Sequence, residues 1–211
     1  MKINEIFYSI QGESSYAGFP TVFVRTSGCN LRCSYCDTTY AYFDGKKMSE
    51  DEIVAAVSEH SAKFVCVTGG EPLLQPDIYS LMVRLCDFGY KVSLETGGSI
   101  NCRSVDARVK KIIDIKTPDS GAPDSFEKEN LQLGDVNTEF KFVICSDADF
   151  SWAEAFAKKH DLFERSNVLY SPAFGRVEEK WLAEKILFEK SSARLQLQLH
   201  KYIWSPHRRG V

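Results

Sequence analysis

What most constrains this chain is an alternation of short, β-branched runs with segments of helical period. Thr21-Val22-Phe23-Val24-Arg25 reads as a strand. Ser49 and Glu52 have capping-box spacing and open a helix carrying Ile53, Val54 and Val57. Phe64–Val67 reads as the next strand. A helix follows with Ile78, Leu81, Met82 and Leu85 on one face, and Gly89 is placed to stop it. Further strands fall near 91–95, 111–115, 139–145, 167–170 and 194–200, and helices near 151–160 and 177–190. The stretch 117–134, rich in Pro, Gly, Asp and Ser, reads mainly as a long loop. Strands separated by helices pair in parallel through right-handed crossovers, which predicts an α/β fold. No repeat or linker divides the chain, so one domain over 1–211 is expected.

In a parallel sheet the C-terminal strand ends share one edge, where such folds bind ligands. The unusual residues fall there. Cys29–Cys36 follows the first strand, Thr68-Gly69-Gly70-Glu71-Pro72 the second and Glu95-Thr96-Gly97-Gly98 the third. Asp114-Ile115-Lys116, Ser171-Pro172 and His200-Lys201 end later ones.

Lys plus Arg number 26 against 29 Asp plus Glu, a net charge of −3 that gives no footprint for nucleic acid or an anionic membrane. The basic cluster His207-Arg208-Arg209 is too short to change that. The N-terminus lacks a signal-peptide plan, and no apolar run approaches the ~20 residues of a membrane span. A cytoplasmic setting is therefore expected, where thiols stay reduced. Seven cysteines, an odd number, also argue against a full disulfide framework.

Cys29, Cys33 and Cys36 have the spacing C-x3-C-x2-C, and three thiolates this close can ligate one metal centre from one loop. A cubane would leave one of its four irons free for a small molecule. A structural zinc site with a fourth ligand from Cys66 or a histidine is the competing reading. The remaining cysteines read as core or surface thiols.

C-x3-C-x-aromatic-C, followed by a strand ending in Gly-Gly-Glu-Pro, resembles the radical S-adenosylmethionine (SAM) superfamily. That resemblance implies a partial (β/α) barrel and a [4Fe–4S] cluster on Cys29, Cys33 and Cys36. It places Tyr35, Cys36 and Asp37 near SAM, whose amino group meets the Gly69-Gly70-Glu71 edge. Ile10-Gln11-Gly12-Glu13, Phe23-Val24-Arg25, Cys36-Asp37-Thr38, Glu95-Thr96-Gly97 and Gln198-Leu199-His200-Lys201-Tyr202 narrow it further. Together they resemble the 7-carboxy-7-deazaguanine synthases of the queuosine pathway over nearly the whole chain.

In that family a 5′-deoxyadenosyl radical takes the hydrogen from C6 of 6-carboxy-5,6,7,8-tetrahydropterin. The ring contracts, ammonia leaves and SAM is regenerated. Carried over, the resemblance implies substrate contacts at Ile10, Gln11, Gly12, Arg25, Thr68 and Pro206, and Mg²⁺ at Thr38. SAM contacts are implied at Gly70, at Asp114, Ile115 and Lys116, and at Ser171, Pro172, Ala173 and Phe174. A guanidinium suits a bidentate carboxylate contact, although a surface ion pair is the alternative for Arg25. Glu95 is open between SAM and its own turn, and His200 reads as a core histidine on a strand. An electron donor such as flavodoxin and a homodimer are implied. A glycyl-radical-enzyme activase and a zinc-stabilised binding module are the rival readings.

Overall fold

The computed structural model describes residues 1–206 and 208–211, so His207 of the basic cluster lies outside the described residues. Nine strands form one sheet in the order β3-β1-β2-β4-β5-β6-β7-β8-β9. They are β1 (Lys2–Ile10), β2 (Pro20–Thr26), β3 (Lys46–Lys47), β4 (Phe64–Gly69), β5 (Lys91–Thr96), β6 (Lys110–Asp114), β7 (Thr138–Ile144), β8 (Asn167–Pro172) and β9 (Arg194–Leu195). From β2 through β9 every neighbouring pair is parallel; β1 joins β2 and β3 antiparallel. The first and last strands of this order have different neighbours, so the sheet is an open, partial barrel.

The helices form where the apolar period requires. α1 (Glu50–Ser58) opens on a complete capping box between Ser49 and Glu52, and it buries Ile53, Val54 and Val57. α2 (Ile78–Asp87) buries Ile78, Leu81, Met82 and Leu85. α3 (Asp147–Lys159), α4 (Leu162–Arg165) and α5 (Glu179–Phe188) cover the later strands. Two crossovers carry no α-helix. β5 reaches β6 through a loop, and β6 reaches β7 through the predicted long loop with 3-10 turns at Pro118–Ser120 and Lys128–Leu133. Parallel pairing survives because the apolar outer faces of these strands still pack into the common core.

Two parts differ from the sequence expectation. β1 was not predicted, because a register shift between Ile3 and Glu5 breaks its alternation. The strand expected over 194–200 stops at Leu195. Beyond it the chain turns across the barrel. Leu199 N–H donates to the Gly12 carbonyl at 3.1 Å, and His200 opens the short helix α6 (His200–Ile203). Gln196 still donates its N–H to the Tyr170 carbonyl of β8 at 2.8 Å, whereas Gln198 and Leu199 meet the β1–β2 loop. No described helix is long and apolar enough to cross a membrane.

Candidate active site

The inward side chains of a parallel barrel alternate along each strand, and here they are polar. β6 and the residues after it send in Lys110, Ile112, Asp114 and Lys116, while β7 sends in Glu139, Lys141 and Val143. Strands buried on both faces ordinarily read as near-continuous apolar runs, so these charges mark the interior as a site. Ile112, Asp114, Lys116, Lys141 and Val143 line a cavity of about 770 Å³ that opens at the C-terminal strand ends.

The cysteine loop forms its upper wall. Cys29, Cys33 and Cys36 all line the cavity, are partly exposed and are free thiols. Burial pushes the Cys29 and Cys33 thiols up; Lys116 pulls both down, but by less. The loop lies tight against the turn after β4. A Cβ on Gly70 would collide with the Gly28 carbonyl and the Cys29 side chain, so only glycine permits this approach. Gly70 and Glu71 spend their N–H groups on the Thr26 and Gly28 carbonyls at 3.3 and 2.8 Å. The turn therefore presents carbonyl oxygens to a ligand. Glu71 is fully buried and accepts from the Thr96 hydroxyl (2.9 Å), the Gly97 N–H (2.8 Å) and the Leu73 N–H (3.1 Å). Burial raises its pKa despite these donors. Its carboxylate locks β4 to β5 and is not free for a ligand.

Below this wall, Lys116 Nζ pairs with Asp114 Oδ2 at 2.8 Å. Burial lowers the lysine pKa, but Asp114 and the cysteine sulfurs outweigh it and hold the ammonium charged. Asp114 Oδ1 and the Tyr35 hydroxyl are buried without a hydrogen-bond partner among the described residues. A buried polar atom with no partner costs about 1–3 kcal/mol, which a bound polar ligand would recover.

Arg25 donates Nε to Glu5 at 2.7 Å, and Tyr40 donates its hydroxyl to the same Glu5 oxygen at 2.9 Å. Burial pushes the Tyr40 phenol up to about 12. The Arg25 terminal nitrogens have no protein hydrogen bond among the described residues, and the side chain lines the cavity above the stacked Phe7 and Phe23 rings. The ion-pair and ligand readings therefore coexist: Glu5 steers the guanidinium and leaves its fork open.

The β1–β2 loop enters from the opposite end and forms the floor. Gln11 donates to Glu95 at 3.3 Å, and Glu13 joins Lys141 (2.8 Å) and Gln198 (2.8 Å). Burial raises the Glu95 pKa, with the nearby Glu13 charge adding to it. Glu95 also accepts from the Thr68 hydroxyl at 3.4 Å, so its partners are side chains of neighbouring segments, not its own turn.

With this geometry in place, the chain can be set beside known proteins. The Radical SAM superfamily model matches residues 23–120. A protein named 7-carboxy-7-deazaguanine synthase from Chlorobaculum tepidum is 47% identical over 100% of this chain and 97% of its own length. One of the same name from Koribacter versatilis is 44% identical over the full length of both. The chain belongs to the 7-carboxy-7-deazaguanine synthase family. The crystal structure of QueE from Escherichia coli, at 21% identity, shares the fold with a TM-score of 0.77 over 93% of each chain.

Family membership sets aside the zinc module and the activase. Of the residues that the resemblance singled out, the cavity gathers Ile10, Gln11, Arg25, the three cysteines, Tyr35, Asp37, Thr38, Thr68 and Gly70. It also gathers Asp114, Lys116, the run Ser171–Phe174 and Pro206. Three lie off its wall, the first being Glu71, whose carboxylate is bound to Thr96 and Gly97. Gly12 packs against α6, where a Cβ would strike the His200 ring, and Ile115 is buried in the apolar core. His200 is placed differently from expectation, lining the cavity from α6, with burial lowering its pKa.

Lys141 and the role of Glu13 were missed, although Glu139 and Lys141 at alternate positions of a buried strand were a readable signal. Lys201 was missed as well. It is buried and pairs with Asp37 at 2.6 Å, and Thr38 donates its hydroxyl to the other Asp37 oxygen at 2.9 Å.

The residues fit the family's cofactors. Among the described residues, no three His, Cys, Asp or Glu side chains close on a single metal ion. A cubane spreads its ligands wider, since each thiolate binds a separate iron. The unpartnered Asp114 Oδ1 and Tyr35 hydroxyl lie in the same cavity as the cysteines, where SAM would sit.

Proposed function

We propose that this chain converts 6-carboxy-5,6,7,8-tetrahydropterin to 7-carboxy-7-deazaguanine with release of ammonia. The observation that carries this reading is the open guanidinium fork of Arg25, held by Glu5 in the cavity that the three cysteines enter. A fork of that kind suits a carboxylate bidentately. The stacked Phe7 and Phe23 rings give the same region an apolar wall, and Gln11, Glu95 and Thr68 offer donors and acceptors to a flat, amide-bearing ring.

Cys29, Cys33 and Cys36 would hold the [4Fe–4S] cluster, with SAM between the Gly70 turn, Tyr35, Asp114, Lys116 and the Ser171–Phe174 segment. Together these cofactors would supply, when bound, the radical chemistry needed at C6 of the pterin. The protein's own part is placement and exclusion of competing hydrogen donors. Arg25 fixes the carboxylate, and the Glu13–Lys141 pair closes the floor against water.

Thr38 would offer one hydroxyl oxygen to Mg²⁺ beside Asp37, whose carboxylate Lys201 holds, so the ion would take its remaining oxygens from substrate and water. A one-electron donor such as flavodoxin is required by the chemistry. A homodimer rests on the family resemblance, and a cytoplasmic setting suits seven free thiols.

The test incubates anaerobically reconstituted, reduced protein with SAM, Mg²⁺ and the carboxytetrahydropterin. Mass spectrometry should show 7-carboxy-7-deazaguanine. If 5′-deoxyadenosine forms without that product, the substrate assignment is wrong.

A further inference from the structure

Asp149 lies in the first turn of α3 with no exposed surface, and it does not line the cavity. A buried carboxylate needs donors. Its oxygens take all of theirs from outside α3: the Cys145 N–H (3.0 Å) on Oδ2, the Asp119 N–H (3.0 Å) on Oδ1, and, also on Oδ2, the Thr117 hydroxyl (2.9 Å), whose one proton it shares with the Val143 carbonyl at 3.0 Å. The carboxylate thus staples the end of β7 to the turn Pro118–Ser120 that follows β6.

That turn holds the cysteine loop. Ser34, between Cys33 and Tyr35, donates its N–H to the Ser120 carbonyl at 2.8 Å and its hydroxyl to the Asp119 carbonyl at 3.1 Å. From the other side, Arg176 donates to the Ser34 hydroxyl oxygen at 3.0 Å and to its carbonyl. Every polar group of Ser34 is engaged. Gly121 ends the turn at φ +81, and a Cβ there would stand 3.4 Å from the Ser34 nitrogen and 3.5 Å from the Arg32 carbonyl oxygen. The two segments are seated against one another.

We propose that Asp149 is a positioning residue for the cysteine loop, acting through the Pro118–Ser120 turn on Ser34. The proposal rests on the family assignment of a cluster to Cys29, Cys33 and Cys36. The carboxylate preorganises these ligands before iron arrives, and partners of this indirect kind tune metal retention. Asparagine cannot substitute, because its amide group would face either the Asp119 or the Cys145 N–H, donor against donor.

The test uses the full chain with Asp149→Asn and, separately, Thr117→Val. Hydrogen exchange is followed in the iron-free protein, and cluster absorbance under a chelator in the reconstituted one. Because the Ser34 N–H is itself bonded across the clamp, its exchange reports the clamp directly. In Asp149→Asn, Ser34 exchange and cluster loss should each be about 10-fold faster, with β4 and β5 protection unchanged. Thr117→Val should give roughly fivefold. If Asp149→Asn does not fold, Thr117→Val decides. Unchanged Ser34 exchange and cluster retention in a folded variant would overturn the proposal. The exchange readout needs no cluster. A chain that shows the faster exchange yet never reconstitutes iron would therefore sink the assignment of a cluster to Cys29, Cys33 and Cys36 and not the clamp.

Discussion

The two ends of the barrel treat charge in opposite ways. At the floor two charge pairs are closed: Glu13 takes Lys141 and Gln198, and the fully buried Glu139 takes Lys110 at 3.2 Å together with the backbone and hydroxyl of Ser15. At the mouth the polar groups are incomplete. Asp114 Oδ1 and the Tyr35 hydroxyl lack partners, the Arg25 fork is open, and three thiols stand together unpaired. A satisfied network rigidifies, whereas an unsatisfied one carries a standing cost that a ligand removes. The Glu13–Lys141 and Glu139–Lys110 pairs are therefore scaffold, and the mouth is completed by what it binds.

Substitutions at the two ends should separate along that line. The largest effect is expected from Cys33→Ala, which should reduce 5′-deoxyadenosine and product to background with iron content below that of the parent protein. Thermal unfolding of the iron-free protein should barely move, because no folding contact is lost.

Lys141→Met should act on stability instead. It leaves Glu13 buried without its cation, a loss of about 3–5 kcal/mol readable by denaturant unfolding. Burial pushes Glu13 up, but Lys141 and Gln198 prevail and hold its pKa below the ordinary 4.5. A carboxylate lowered on folding contributes stability that is complete above about pH 4.5 and is lost as acid takes the folded protein through its lower pKa. Glu13→Gln should remove that part of the acid limb. An unchanged limb would show that the pair is not a stabilising element.

Arg25→Lys keeps the charge and loses the fork, so kcat/KM for the pterin should fall by about 2 kcal/mol, roughly 30-fold. SAM affinity should hold, and equal losses for both ligands would deny Arg25 its selective role. The smallest effect belongs to neither end. Ser49→Ala removes the α1 cap and should cost about 1 kcal/mol, a Tm drop of about 2–4 °C, with kinetics unchanged.

Much of this was legible in the sequence because strand ends and helix faces are local patterns. The cysteine spacing, the Gly69-Gly70 turn and the Ser49–Glu52 box each act over a few residues. The floor was harder to read because it is non-local. Glu13 and Lys141 are 128 positions apart, and Gln198 reaches Glu13 over 185. Residues 194–200 alternate like a strand, yet past Leu195 they leave the sheet for the β1–β2 loop, where Gln198 and Leu199 bond Glu13 and Gly12. Glu71 illustrates the reverse error available to motif reading. It sits in the Gly-Gly-Glu-Pro signal, but its carboxylate serves the fold.

The central claim is that the mouth brings a radical carbon to C6 of the pterin. Carboxytetrahydropterin deuterated at C6 tests it most directly. Turnover should carry the label into the 5′ position of the SAM recovered from the reaction. Product formed while recovered SAM and 5′-deoxyadenosine both stay unlabelled would contradict the account.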